Sequence, residues 1–145
     1  MPPRVGTRVR QVPYHRGAQT LVPRLLIIDD DDDLLQMARA ILGADGYLVD
    51  TAYAAIDGVH KALRFPPDVI LLDVLMSGCD GLEIFDTLRQ HERTCHVPIL
   101  ALSLLAGRDA SRLLLDIGFA ALIEKPVNWP VLRQELRRHV NARVI

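Results

Sequence analysis

Cysteine is nearly absent from this chain of 145 residues: Cys79 and Cys95 are the only two. They have neither paired spacing nor histidines around them in a metal-site pattern. That excludes a disulfide scaffold and a zinc knot, and it fits a reduced, cytosolic setting. No apolar run reaches the roughly 18 residues of a membrane span, so no contact with a membrane is expected. Acidic residues are missing from positions 1–24, which carry Arg4, Arg8, Arg10, Arg16 and Arg24. The rest of the chain therefore holds twelve basic and eighteen acidic side chains, a net of −6 behind an overall −1. An acidic body argues against direct binding to nucleic acid. Residues 1–23 also lack apolar periodicity and carry Pro2, Pro3, Pro13 and Pro23. They read as a flexible basic tail before a single domain over residues 24–145. They contain no apolar central region of the kind a signal peptide needs.

What is present is an alternation. Half of the residues are apolar, enough for a substantial core. Val69–Leu72 is an unbroken apolar run between Pro66-Pro67 and a glycine-containing loop. It reads as a strand buried on both faces, ending in Asp73. Leu25–Ile28, Tyr47–Ala52, Val97–Leu102 and the short Ala120–Ile123 read as four more strands. A helix follows Asp31–Asp33 with Leu34, Leu35, Ala38, Ile41 and Leu42 on one face, ended by Gly43 and Gly46. Ala55–Arg64 reads as a helix with Ile56, Val59 and Leu63 inward. Asp80 caps a helix carrying Leu82, Ile84, Phe85 and Leu88. Arg108–Ile117 is stopped by Gly118, and Asn128 caps a last helix with the stripe Trp129, Leu132, Leu136 and Val140. Five strands alternating with five helices demand an α/β fold, a parallel sheet covered on both faces through right-handed crossovers.

The strands of a parallel sheet end at one edge, where open α/β sheets hold their ligands. Four strand ends bring Asp29 and Asp30, Asp73, Ser103 and Lys125 to that edge. Each alone reads as a turn former, a loop hydroxyl or a solvated lysine. Their joint placement at successive strand ends is harder to attribute to chance. Three carboxylates in one crevice repel by about 4 kcal/mol per pair, at about 4 Å and an effective dielectric of about 20. A hard cation relieves that repulsion, and oxygen ligands in an aqueous site favour Mg2+. A carboxylate, a cation, a hydroxyl and an ammonium suit a phosphoryl group. Asp73 can attack phosphorus and become an acyl phosphate. Lys125 and the cation offset charge on the transferring oxygens, and Ser103 can donate a hydrogen bond to one of them.

These residues also carry a family resemblance. Leu25-Leu26-Ile27-Ile28-Asp29-Asp30-Asp31, Asp73 with Asp80-Gly81-Leu82-Glu83 beyond it, Ser103, and Lys125-Pro126 resemble the receiver domain of two-component response regulators. The likeness covers about residues 24–143. It implies a flavodoxin-like (βα)5 doubly wound sheet of strand order 2-1-3-4-5 in three α/β/α layers. It implies that Asp30, Asp73 and the backbone carbonyl of Leu75 bind Mg2+ directly, with Asp29 helping through water. Ser103 and Lys125 would bind the phosphoryl group, and the Lys125-Pro126 bond would be cis. The donor would be a phosphohistidine on a sensor histidine kinase or a histidine phosphotransfer protein. The output would be an unknown downstream protein in a bacterial cytoplasm, with homodimerisation left open.

Four positions depart from the common receiver pattern. Leu75 stands where a polar residue is frequent, Ser77 where Pro is usual, Leu104 where a small residue follows the hydroxyl, and Leu122 where an aromatic switch residue is common. Leu75 and Leu104 are expected to shield an acyl phosphate from water and lengthen its lifetime. A pseudo-receiver, an interaction module that works without phosphorylation, is the first rival. The departures favour it, and the complete set of acids, hydroxyl and lysine counts against it. A hydrolytic phosphatase is the second rival. It needs a second acid two residues after Asp73, where Leu75 stands. A regulatory phosphoacceptor rather than an enzyme is expected, acting alone as a shuttle or by docking a partner.

Overall fold

The computed structural model describes residues 22–76, 80–105 and 107–141. Ser77, Cys79 and the basic stretch 1–21 lie outside the described residues. The strands are β1 (Arg24–Ile28), β2 (Leu48–Ala52), β3 (Val69–Asp73), β4 (Ile99–Ser103) and β5 (Ala121–Glu124). They alternate with α1 (Asp32–Ala44), α2 (Ala55–Arg64), α3 (Gly81–Gln90), α4 (Arg108–Ile117) and α5 (Trp129–Asn141). All neighbouring strands pair in parallel, in the order β2-β1-β3-β4-β5. This is the doubly wound, flavodoxin-like sheet that the alternation and the resemblance led us to expect.

Two cores flank the sheet. Leu26, Ile28, Ile70 and Leu72 pack with Ala62, Phe85, Leu88 and Leu114 from α2, α3 and α4. Leu25, Ile27, Leu71 and Leu102 pack with Leu35, Ala38, Leu42, Leu132 and Leu136 from α1 and α5. Every residue of β3 and β4 is buried, which is why both read as continuous apolar runs. No helix among the described residues is long and apolar enough to cross a membrane.

The edge strand β2 is protected by side chains. Leu48 and Ala52 bond toward β1, so Thr51, of opposite parity, turns its peptide groups outward. Its N–H donates to Asp50 Oδ1 at 2.9 Å, and its carbonyl accepts from Lys61 Nζ at 2.6 Å. These bonds occupy backbone groups that would otherwise invite another strand.

Two helix caps are the expected residues, Asp80 accepting from Leu82 N and Asn128 from Val131 N, and Asp31, the first of the three acids before α1, caps that helix by accepting from Leu34 N. The inward face of α2 differs from the periodicity. Gly58 and Ala62 are buried, Val59 and Leu63 half-buried, and Ile56 is 68% exposed. Gly58 sits so close to β1 that a Cβ would meet Ile28 Cδ1 at 2.6 Å. Small residues therefore face the sheet and roll Ile56 outward. Leu82 at the start of α3 is likewise exposed. Gly43 lies inside α1, while Gly46 follows it at φ +99°. Strand β4 starts at Ile99, two residues after the expected Val97, which is buried in the connection.

Candidate functional site

The register places Ile28 opposite Leu72, Asp73 opposite Leu102, and Ser103 opposite Glu124. Asp29, Asp73, Ser103 and Lys125 therefore stand at one edge, each at or just past a strand end. Asp29, Asp73 and Ser103 are buried and Asp30 half-buried. Lys125 N–H donates to the Ser103 carbonyl at 2.8 Å, tying β5 to β4 directly beneath the crevice. The Lys125-Pro126 bond is cis.

Each polar side chain is oriented by a backbone donor two residues later. Asp29 Oδ1 accepts from Asp31 N–H at 3.0 Å, Asp73 Oδ1 from Leu75 N–H at 3.0 Å, and Ser103 Oγ from Leu105 N–H at 3.0 Å. Short polar side chains favour such local bonds in turns. The other oxygens of the two carboxylates meet at Lys125. Lys125 Nζ lies 2.7 Å from Asp29 Oδ2 and 3.0 Å from Asp73 Oδ2.

Burial pushes the Asp29 carboxyl up to about 6. The Lys125 ammonium and the Asp31 N–H oppose that rise, and the charge of Asp73 adds to it. Burial pulls the Lys125 ammonium down, but the two carboxylates outweigh it and hold the group above the usual lysine range.

One carboxylate oxygen from each of Asp29, Asp30 and Asp73 lies within 4.8 Å of the others. Asp29 Oδ2 is buried, and among the described residues the Lys125 ammonium is the one positively charged group placed against it. It keeps capacity for a further donor such as a cation's water. Clustered carboxylates with a spare buried oxygen fit a hard divalent cation better than a soft one.

The crevice thus brings together Asp29, Asp30, Asp73, Ser103 and Lys125. The side chains of Leu75 and Leu104 stand out from it, 56% and 72% exposed. Leu122 is half-buried against the core on the α2–α4 side. Sequence reasoning did not find the backbone donors of Asp31 and Leu105. A polar residue two positions before a turn amide is the local signal for them.

A family model described as the response regulator receiver domain matches residues 25–137. This chain belongs to the response-regulator receiver family. The response regulator PleD of Caulobacter vibrioides is 32% identical to this receiver over 114 residues, 79% of this chain and 25% of PleD. This receiver thus spans about a quarter of that relative's length. The polar-differentiation response regulator DivK of Brucella ovis is 23% identical over 116 residues, 80% of this chain and 94% of DivK. Among solved structures, the chemotaxis response regulator CheY4 of Vibrio cholerae superposes with a TM-score of 0.76 at 28% identity. That superposition covers 82% of this chain and 99% of CheY4.

Proposed function

We propose that this receiver is a phosphoryl-accepting signalling switch. Asp73 takes a phosphoryl group from a phosphohistidine of a sensor histidine kinase or histidine phosphotransfer protein. The altered surface is then read by a downstream protein in the cytoplasm. Residues 24–145 form the switch, and residues 1–23 are its basic tail. The observation that carries this reading is the ammonium of Lys125 held between the buried carboxylates of Asp29 and Asp73, with buried Ser103 at the end of the adjoining strand.

A carboxylate oxygen of Asp73 forms a bond to phosphorus. The phosphorus–nitrogen bond of the donor breaks, and its electron pair stays on the imidazole nitrogen. The Leu75 N–H holds Asp73 Oδ1, so the nucleophile meets phosphorus in a preset orientation. Lys125 has three donors on a flexible stem and turns from Asp73 Oδ2 toward a phosphoryl oxygen while keeping Asp29. The Ser103 oxygen is occupied by the Leu105 N–H, which leaves its own proton to donate to another phosphoryl oxygen.

Asp30, Asp73 and the Leu75 carbonyl would hold Mg2+ directly, with Asp29 contributing through water. The cation would offset the negative charge of the transferring oxygens. Hydrolysis of the acyl phosphate resets the switch, with no other reaction assigned to the domain.

Intact-mass spectrometry after incubation with Mg2+ and a small acyl phosphate tests this, with Asp73→Asn as control. Gain of one phosphoryl group by the native chain alone supports the switch. No gain, together with no binding of Mg2+, would instead favour a pseudo-receiver.

A further inference from the structure

We propose that Gly81 is a positioning residue for the phosphoacceptor. By carrying no side chain, it lets the first turn of α3 seat the turn that runs from Asp73 to Leu75. The proposal rests on the reading of Asp73 as phosphoacceptor.

Gly81 follows the N-cap Asp80 and opens α3. It is not among the described glycines with positive φ, so backbone conformation does not call for glycine there. Helix propensity alone would favour alanine at this place. Space decides otherwise. A Cβ at Gly81 would lie 2.5 Å from Val74 Cα, 2.9 Å from the Val74 carbonyl oxygen and 3.0 Å from the Asp73 carbonyl oxygen. The contrast with Gly58 is instructive. There the obstructing atoms belong to the Ile28 side chain, which can turn aside. At Gly81 they are backbone.

That backbone is held on its other side. Val74 N–H donates to the Leu102 carbonyl at 3.1 Å, fixing the turn to β4. Leu75 N–H donates to Asp73 Oδ1. The helix is held as well: Phe85 and Leu88 are buried, and the Phe85 ring packs against Phe119 with centroids 4.4 Å apart. A methyl group at position 81 therefore cannot be absorbed by side-chain movement. It must tilt the Val74–Leu75 turn or lift the start of α3. Tilting the turn breaks the bond that orients Asp73 and redirects the Leu75 carbonyl, which is the backbone oxygen expected at the cation. The glycine thus acts through the turn rather than by touching the reacting atoms.

The test compares Gly81→Ala with Gly58→Ala, which disturbs the same core away from the turn. Amide hydrogen exchange of Val74 and Leu75 is read first. It is expected to quicken at least tenfold in Gly81→Ala, relative to the α3 amides of Phe85 and Leu88, and to stay native in Gly58→Ala. The Mg2+ concentration at half-maximal thermal stabilisation is read next, with an expected rise of at least tenfold in Gly81→Ala alone. Native exchange at Val74 and Leu75 in Gly81→Ala would overturn the proposal. So would a Mg2+ midpoint within twofold of that of Gly58→Ala. If Gly81→Ala does not fold, the pair Gly81→Ala with Phe85→Leu gives α3 room to withdraw, and the same two readings apply. Failure of the native chain to bind Mg2+ or accept phosphate would sink the phosphoacceptor reading. The exchange data would still decide whether Gly81 seats the turn.

Discussion

The Lys125 ammonium lies 2.7 Å from Oδ2 of Asp29, a carboxylate with no exposure to solvent. The same nitrogen reaches Asp73 at 3.0 Å, so one positive charge is shared by two buried negative ones. Lys125 is the one member of this centre that both carboxylates depend on. Removing one partner of a buried pair leaves the other uncompensated, at a cost of about 3–5 kcal/mol. Lys125→Met is expected to lower stability by about 3 kcal/mol at pH 8. The loss should be smaller at pH 5, where Asp29 takes up a proton. Urea unfolding at the two pH values checks this, and an equal loss at both would contradict the role given to Asp29.

Asp29 also sets a pH dependence of its own. Its carboxyl titrates near 6 in the folded chain, against an ordinary value of 3.8. The folded state therefore binds the extra proton. The stability that this residue contributes is complete below about pH 4 and falls away as the pH rises through about 6. Asp29→Asn removes the buried charge and keeps an oxygen for the Asp31 N–H. Without Mg2+ the variant is expected to be more stable than the native chain at pH 8, by on the order of 1–3 kcal/mol. The advantage should vanish near pH 4. Thermal unfolding across this range is the measurement, and a variant less stable at pH 8 would contradict it.

The fold was legible because its signals are local and redundant. The apolar runs of β1, β3 and β4 are long enough to mark buried strands, and those of β1 and β3 are followed by helices with side-chain caps, Asp31 and Asp80. The site residues were legible for the same reason, since a parallel sheet carries every strand end to one edge. What escaped were features set by contact between distant elements. The roll of α2 depends on how closely Gly58 approaches Ile28, and no periodicity encodes that distance. The need for glycine at position 81 depends on Val74, seven residues earlier and on another element. The pKa of Asp29 depends on burial, which follows only once the sheet is assembled.

Leu75 and Leu104 flank Asp73 and Ser103 in sequence, yet their side chains are exposed. Apolar groups at the rim of a polar crevice hinder the approach of the water that would hydrolyse an acyl phosphate. Leu104→Ala and Leu75→Asn are each expected to speed loss of the phosphoryl group by roughly tenfold, about 1.4 kcal/mol in the barrier. The decay of the phosphorylated mass with time measures this. A native half-life of seconds would mean that the two leucines give no protection.

Gly43 and Gly46 look alike in the sequence, both candidates to stop α1, and the structure separates them. Gly43 sits within the helix, and a Cβ there would meet nothing within 4 Å. Its flexibility in the unfolded chain is therefore a cost without a compensating fit, and Gly43→Ala is expected to stabilise by about 0.5–1 kcal/mol. Gly46 is also uncrowded, but its φ is +99°, a backbone region that L side chains rarely adopt. Its N–H donates to the Gly43 carbonyl at 3.1 Å, and Tyr47 N–H to that of Leu42 at 3.1 Å. The left-handed turn thus satisfies carbonyls at the helix end. Gly46→Ala is expected to destabilise by about 1 kcal/mol, opposite in sign although the chemical change is the same. Paired chemical denaturation of the two variants checks the prediction. Equal shifts would mean that α1 ends elsewhere than at Ala44.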